Sequence, residues 1–157
     1  MHIHRYEKVW LIIGSLILLI FLTILAIQTF FLEMGPPSHA ETIDPQTVRD
    51  SEMFADAGLK EVGENEYEIA IIAEMFAFQP GDLEIPAGAT VHFTLASPDV
   101  THGFKITDTN VNVMVVPGHI SKVSHTFDEP GDYLILCNEY CGLGHEYMAS
   151  TITVNSQ

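Results

Sequence analysis

The stretch Asp132–Val154 reads DYLILCNEYCGLGHEYMASTITV, and two different periods divide it into three parts. DYLIL and STITV are short β-branched and aromatic runs of period two, the pattern of half-buried strands. The residues between them, Cys137 to Met148, break that period and read as a loop carried on two strand ends. The same alternation recurs upstream in YEIAIIA (67–73), TVHFTLA (90–96), NVMVV (112–116) and SKVSHTF (121–127), and the run into the loop extends to Cys137. Turn signals separate the runs: Gln79-Pro80-Gly81, Pro86-Ala87-Gly88, Pro117-Gly118 and Glu129-Pro130-Gly131. Short strands at such spacing predict a mainly β domain over residues 67–157, folded as a β-sandwich or a Greek-key barrel.

The N-terminal part has a different composition. Val9–Leu32 runs 24 residues without Asp, Glu, Lys or Arg. As a helix it would be roughly 36 Å long, enough to cross a ~30 Å hydrocarbon core with some tilt. A cleaved signal peptide is the rival, and Ser38-His39-Ala40 offers a small-residue site. Signal h-regions run only about 7–15 residues, so the expectation is a retained transmembrane helix over 9–32. Arg5 and Lys8 precede it, while Glu33, Glu41 and Asp44 follow. The positive-inside tendency puts residues 1–8 in the cytoplasm and the β domain on the outer, periplasmic side of the cell membrane. Residues 33–66 are expected to be a linker, leaving the membrane through Gly35-Pro36-Pro37-Ser38. Within it, Asp44 as N-cap and Pro45 as first helical residue predict a short helix to about Gly58, with Val48, Met53, Phe54 and Ala57 on a ragged apolar face.

Residues 41–157 carry 19 Asp plus Glu against four Lys plus Arg, which is the whole formal net charge of −15. That excludes nucleic acid as a partner. It fits a basic protein arriving by electrostatic steering, and equally fits general solubility or a salty medium.

Both cysteines of the chain lie in the loop Cys137-Asn138-Glu139-Tyr140-Cys141-Gly142-Leu143-Gly144-His145-Glu146-Tyr147-Met148. Two thiols, an imidazole and a thioether in twelve residues suit copper. Two cysteines outside the membrane could equally form a disulfide, or join two histidines around a structural zinc. Met148 could be an ordinary core residue. The thioether and the glycine-bearing turn into His145 favour copper, because zinc gains little from a thioether. His2, His4, His39, His92, His119 and His125 have no comparable setting; His92 is expected to face solvent and His125 to be partly buried.

The pattern Cys-x-Glu-x-Cys-Gly-x-x-His-x-x-Met resembles the dinuclear copper A loop of cytochrome c oxidase subunit II. Pro98-Asp99-Val100-Thr101-His102-Gly103-Phe104 looks like that family's first-histidine segment, and Asn110-Val111-Asn112-Val113 through Val116-Pro117-Gly118 follows as in the family. The resemblance covers nearly all of 67–157 and implies a cupredoxin-like fold. It implies two copper ions bridged by Cys137 and Cys141, with His102 and Met148 completing one and His145 and the Glu139 carbonyl the other. Many family members have two membrane helices and a tryptophan-rich donor-facing stretch. Here a single apolar run precedes Glu74-Met75-Phe76-Ala77-Phe78-Gln79-Pro80, most like the B-family, ba-type oxidases. Phe76 and Phe78 are therefore candidates for the donor-facing surface, with the strand core as the alternative for each. In many members the carboxylate at the Glu139 position helps bind Mg²⁺ at the contact with the catalytic subunit, although ba-type members often lack it.

The implied function is one-electron relay from a cytochrome c, or a small copper protein, to haem in a catalytic subunit I that reduces oxygen. The chain would be a membrane-anchored electron-transfer subunit of an oxidoreductase, in contact with membrane lipid and with no bond chemistry of its own. A dicopper subunit of a nitric oxide reductase is the nearest alternative. A membrane-anchored copper-delivery or thiol protein is the more distant one, disfavoured by the strand pattern and by the additional His145 and Met148.

Overall fold

The computed structural model describes residues 4–31, 41–55 and 58–156. Its first element is the helix α1, Arg5–Phe30, which starts four residues before the apolar run. His4 sits at the N-cap in extended backbone, and the Glu7 carboxylate accepts the His4 N–H at 3.3 Å. This reciprocal cap draws the polar residues 5–8 into the helix. The 26 residues span about 39 Å, and an 18-residue window reaches a mean hydropathy of 2.9. Length and composition are those of a membrane span. Leu32 and the exit segment around Pro36 lie outside the described residues. Residues 1–36 and 37–157 form separate compact units.

In the second unit the Asp44 Oδ1 accepts the Gln46 N–H at 3.0 Å and starts a 3-10 turn, Pro45–Asp50. Ser51 then turns extended, and the helix α2, Glu52–Ala55, follows. The single helix expected here is thus two short pieces, and its Ala57 end lies outside the described residues. Val48 and Phe54 are buried, whereas Met53 is exposed. They cover Ile72 and Ala96 on the outer face of a sheet, each worth roughly 1.5–3 kcal/mol of apolar burial.

Among the described residues ten strands follow. They are β1 (Lys60–Gly63), β2 (Glu66–Glu74), β3 (Ala77–Gln79), β4 (Leu83–Pro86), β5 (Ala89–Ala96), β6 (His102–Ile106), β7 (Asn112–Val115), β8 (Ser121–Phe127), β9 (Gly131–Leu136) and β10 (Ala149–Asn155). One five-stranded sheet has the order β1-β2-β5-β8 with β3 added to β2; the other has the order β4-β10-β9-β6-β7. The pairs β2/β5 and β4/β10 are parallel and the rest antiparallel. This is a two-sheet β-sandwich, one of the architectures the strand spacing predicted, and of the cupredoxin-like kind the resemblance implied. The first sheet already begins at Lys60, inside the stretch expected as linker, because Glu61 pairs with Tyr67 across a tight turn.

Alternation builds the core. Val91, Phe93 and Leu95 of β5 point inward with Ile69, Ile71 and Ala73 of β2, and meet Phe104, Ile106, Ile135, Ile152 and Val154 from the second sheet. Phe104 is the hub: its ring lies 5.6 Å from Phe78, edge-on, and 5.5 Å from Phe93. The same apolar cluster continues into Cys137, Cys141 and Met148.

Candidate metal centre

β9 and β10 face each other with Leu136 opposite Ala149. One step further, the Cys137 N–H donates to the Met148 carbonyl at 3.1 Å, so both ends of the loop are pinned. Within it, the His145 N–H donates to the Gly142 carbonyl at 3.1 Å and a 3-10 turn covers His145–Tyr147. Gly142 takes φ +135°, a region L side chains rarely adopt.

These constraints bring the six expected ligand residues together. The Sγ atoms of Cys137 and Cys141 stand 3.8 Å apart, and both cysteines are free thiols. Around them lie His102 Nδ1 at 3.9 Å from Cys137, His145 Nδ1 at 3.6 Å from Cys141, and Met148 Sδ at 3.8 Å from Cys141. The Glu139 carbonyl accepts the Cys137 thiol hydrogen at 3.2 Å. His102, Cys137, Cys141 and Met148 are all buried; His145 is half-buried beneath the exposed Tyr140, whose ring lies 5.8 Å away. Among the described residues, His102, Cys137 and Cys141 are the group of metal-ligating side chains whose donor atoms all lie within 4.8 Å.

Asp99, to which sequence reasoning assigned no role, organises this pocket. Its Oδ1 accepts from His102 Nε2 at 2.9 Å and from the Val100 N–H at 2.6 Å, and its Oδ2 accepts from the Met75 N–H at 2.7 Å. A carboxylate can only accept, so His102 carries its proton on Nε2 and turns the Nδ1 lone pair toward Cys137. Burial works to raise the Asp99 pKa, but hydrogen bonds from His102, Met75, Val100 and Ser97 outweigh it and hold it below the ordinary carboxylate value. The Asp-x-x-His spacing was the available signal. Burial pushes the Cys141 thiol up to about 11, with the neighbouring Cys137 adding to the rise. Two thiolates this close repel in the absence of a cation, and a bound cation removes that penalty.

Phe76 and Phe78 part company. Phe76 is partly exposed and lies across the loop: a Cβ added at Gly144 would stand 2.6 Å from its ring, and one at Gly142 3.0 Å. Phe78, only 3% exposed, packs edge-on against Phe104. Its place in the core corrects the expectation that it belongs to a donor-facing surface, because β3 pairs with β2 and turns that side chain inward. The Glu139 carboxylate is exposed and lies in no metal-ligating cluster among the described residues.

Soft sulfur donors, imidazole and a thioether converging in an apolar pocket fit copper in preference to a hard cation. The family model for the cytochrome c oxidase subunit II periplasmic domain matches residues 73–156. A cytochrome c oxidase subunit 2 of Thermus thermophilus is 42% identical over 153 residues, covering 95% of this chain and 91% of the relative. The chain belongs to the cytochrome c oxidase subunit II family. A chain in the cryo-EM structure of a haem–copper terminal oxidase dimer superposes on this subunit II with a TM-score of 0.80 at 31% identity, covering 96% of this chain and all of that one. The crystal structure of the periplasmic domain of subunit II from Bradyrhizobium japonicum has a TM-score of 0.53 at 17% identity, over 57% of this chain and 83% of that one, which supports the fold. The Thermus affinity is consistent with the B-family, ba-type likeness. This subunit II is therefore a membrane-anchored member of an oxidoreductase complex with a periplasmic β domain, and membership implies a copper A site and a catalytic subunit I. These relatives favour the oxidase over the nitric oxide reductase and thiol-protein alternatives.

Proposed function

We propose that this subunit accepts electrons from a cytochrome c, or a small copper protein, at a dinuclear copper A centre and passes them to haem in catalytic subunit I, where oxygen is reduced. Cys137 and Cys141 would bridge two copper ions, His102 and Met148 completing one, His145 and the Glu139 carbonyl the other. Bound there, the pair supplies a one-electron carrier whose charge is spread over both metals.

The chain's own residues make that transfer inexpensive in reorganisation. Cys137 and Met148 are held on adjoining strand ends, His102 is oriented by Asp99, and Cys137, Cys141 and Met148 are buried in the apolar core. With those six residues as its ligands the pair would have only protein donors, which would leave no place for a substrate and suit electron transfer over bond chemistry. The observation that carries the reading is the convergence of Cys137, Cys141, His102, His145 and Met148 in one largely buried pocket.

Electron paramagnetic resonance on the full chain, held in detergent and loaded with copper, tests it. The expected spectrum has the hyperfine pattern of one electron shared by two copper nuclei. A single-copper pattern, or no copper uptake, overturns the reading. Cys137→Ser and Cys141→Ser should each abolish the shared state, whereas Met148→Leu should keep it and shift the potential. Arg5 and Lys8 at the start of α1 support a single pass through lipid with the N-terminus cytoplasmic. The exposed Glu139 carboxylate is a candidate Mg²⁺ ligand at the contact with subunit I; a Mn²⁺ signal in the intact complex that survives Glu139→Gln would remove it from that role.

A further inference from the structure

One proposed ligand, the main-chain carbonyl of Glu139, has no side-chain torsion to steer it. Its direction is that of the Glu139–Tyr140 peptide, which follows from how the backbone of Asn138 and Glu139 is held just before it, and three observations bear on that backbone. First, β6 runs directly beneath the main-chain nitrogens of Asn138 and Glu139. A Cβ built on Gly103 would stand 2.9 Å from both the Asn138 and the Glu139 nitrogens, so a glycine is needed for strand and loop to approach this closely. Second, Asn138 Nδ2 donates to Asn112 Oδ1 at 3.0 Å, tying the loop to the edge strand β7. Gly103 pairs with Met114, and Lys105 with Asn112, so the seat and the clasp belong to one β6/β7 ladder. Third, the Glu139 carbonyl oxygen lies 3.2 Å from the Cys137 sulfur, so it already faces that side of the pocket.

Asn112 and Asn138 are both exposed. A hydrogen bond between two solvent-exposed neutral amides adds little to folding, so its consequence is mainly directional. In a dinuclear centre the electron is shared evenly only while the two metals have nearly equal site energies. A carbonyl on one side and a thioether on the other are unlike donors, so the placement of the carbonyl tunes that balance.

We propose that Asn138, clasped by Asn112 and seated on Gly103, is a positioning residue that holds the Glu139 carbonyl where the electron is shared evenly between the two coppers. This rests on the ligand assignment proposed above. The test uses the full-length, copper-loaded protein and reads copper content, hyperfine pattern and reduction potential. Asn138→Ala and Asn112→Ala should keep the copper content but shift the pattern to that of two unequal coppers and move the potential. Asn112→Asp keeps the acceptor and should retain the parent pattern. The double variant Asn112→Ala/Asn138→Ala should look no worse than either single one, because both remove the same bond. Parent-like spectra and potentials in both alanine variants overturn the inference and leave the dicopper reading standing. So does an Asn112→Asp spectrum as altered as that of Asn112→Ala. Absence of a shared pattern in the parent protein overturns the dicopper reading, and this inference with it.

Discussion

Asp99 concentrates several roles in one carboxylate. It joins the β2–β3 turn, through the Met75 N–H, to the imidazole of His102 and to the start of its own turn at Val100. Asp99→Asn keeps the shape but turns one acceptor into a donor. Metal-free protein should lose about 1.5–3 kcal/mol, the range for hydrogen bonds to a charged group, read from the denaturant midpoint. The two phenylalanines beside this turn should behave differently. Phe78→Ala empties a core position against Phe104 and is expected to cost about 3–5 kcal/mol in the same measurement. Phe76 instead caps glycines: Gly144→Ala drives a methyl group into its ring and should cost about 1–3 kcal/mol. Adding Phe76→Ala to that variant should restore part of the loss, and a fully additive double variant would refute the contact.

At the scale of elements, β9 and β10 define the loop by where their pairing stops, and β6 supplies the distant histidine from the neighbouring position in the sheet. β8 carries a separate, titratable feature. His125 packs edge-on against Phe127 with ring centres 4.8 Å apart. Burial lowers its pKa below 6.5, and the charge of Asp128 opposes this only in part. The unfolded chain therefore takes up a proton near 6.5 that the folded chain still refuses. Stability should fall as the pH drops through that value and level off below the folded pKa. His125→Gln should flatten this part of the acid flank, seen by comparing denaturant midpoints at about pH 8 and about pH 5. An unchanged slope would mean that His125 titrates alike in both states.

For the whole molecule, the β domain is a compact unit from residue 37 onward, with its own two-sheet core. Removing residues 1–36 should leave its thermal transition unchanged, as followed by circular dichroism. The formal net charge of −15 lies entirely in residues 41–157, while Tyr140, Leu143, Tyr147 and Met75 expose apolar surface on or beside the loop. If charge steers the donor, association should slow steeply as ionic strength rises. A flat salt response would assign recognition to the apolar residues.

The loop was legible in the sequence because its residue types are chemically rare in combination and because alternating strands bound it on both sides. The anchor was legible because length and the absence of charge suffice for a span. The strands β1, β3, β4 and β6 were not, being three to five residues long and interrupted by glycine, proline or polar positions. Phe76 and Phe78 differ by two residues, yet only the pairing of β3 with β2 decides that the second is core. Asp99, Gly103, Asn112 and Asn138 are ordinary residues at those places in the chain. What makes them matter is a carboxylate 2.9 Å from an imidazole nitrogen, a missing Cβ beneath a peptide, and an amide pair between β7 and the loop. The sequence by itself determined which atoms could bind a soft metal. The tertiary structure decided how those atoms are aimed, because aim depends on contacts between strands far apart in the chain.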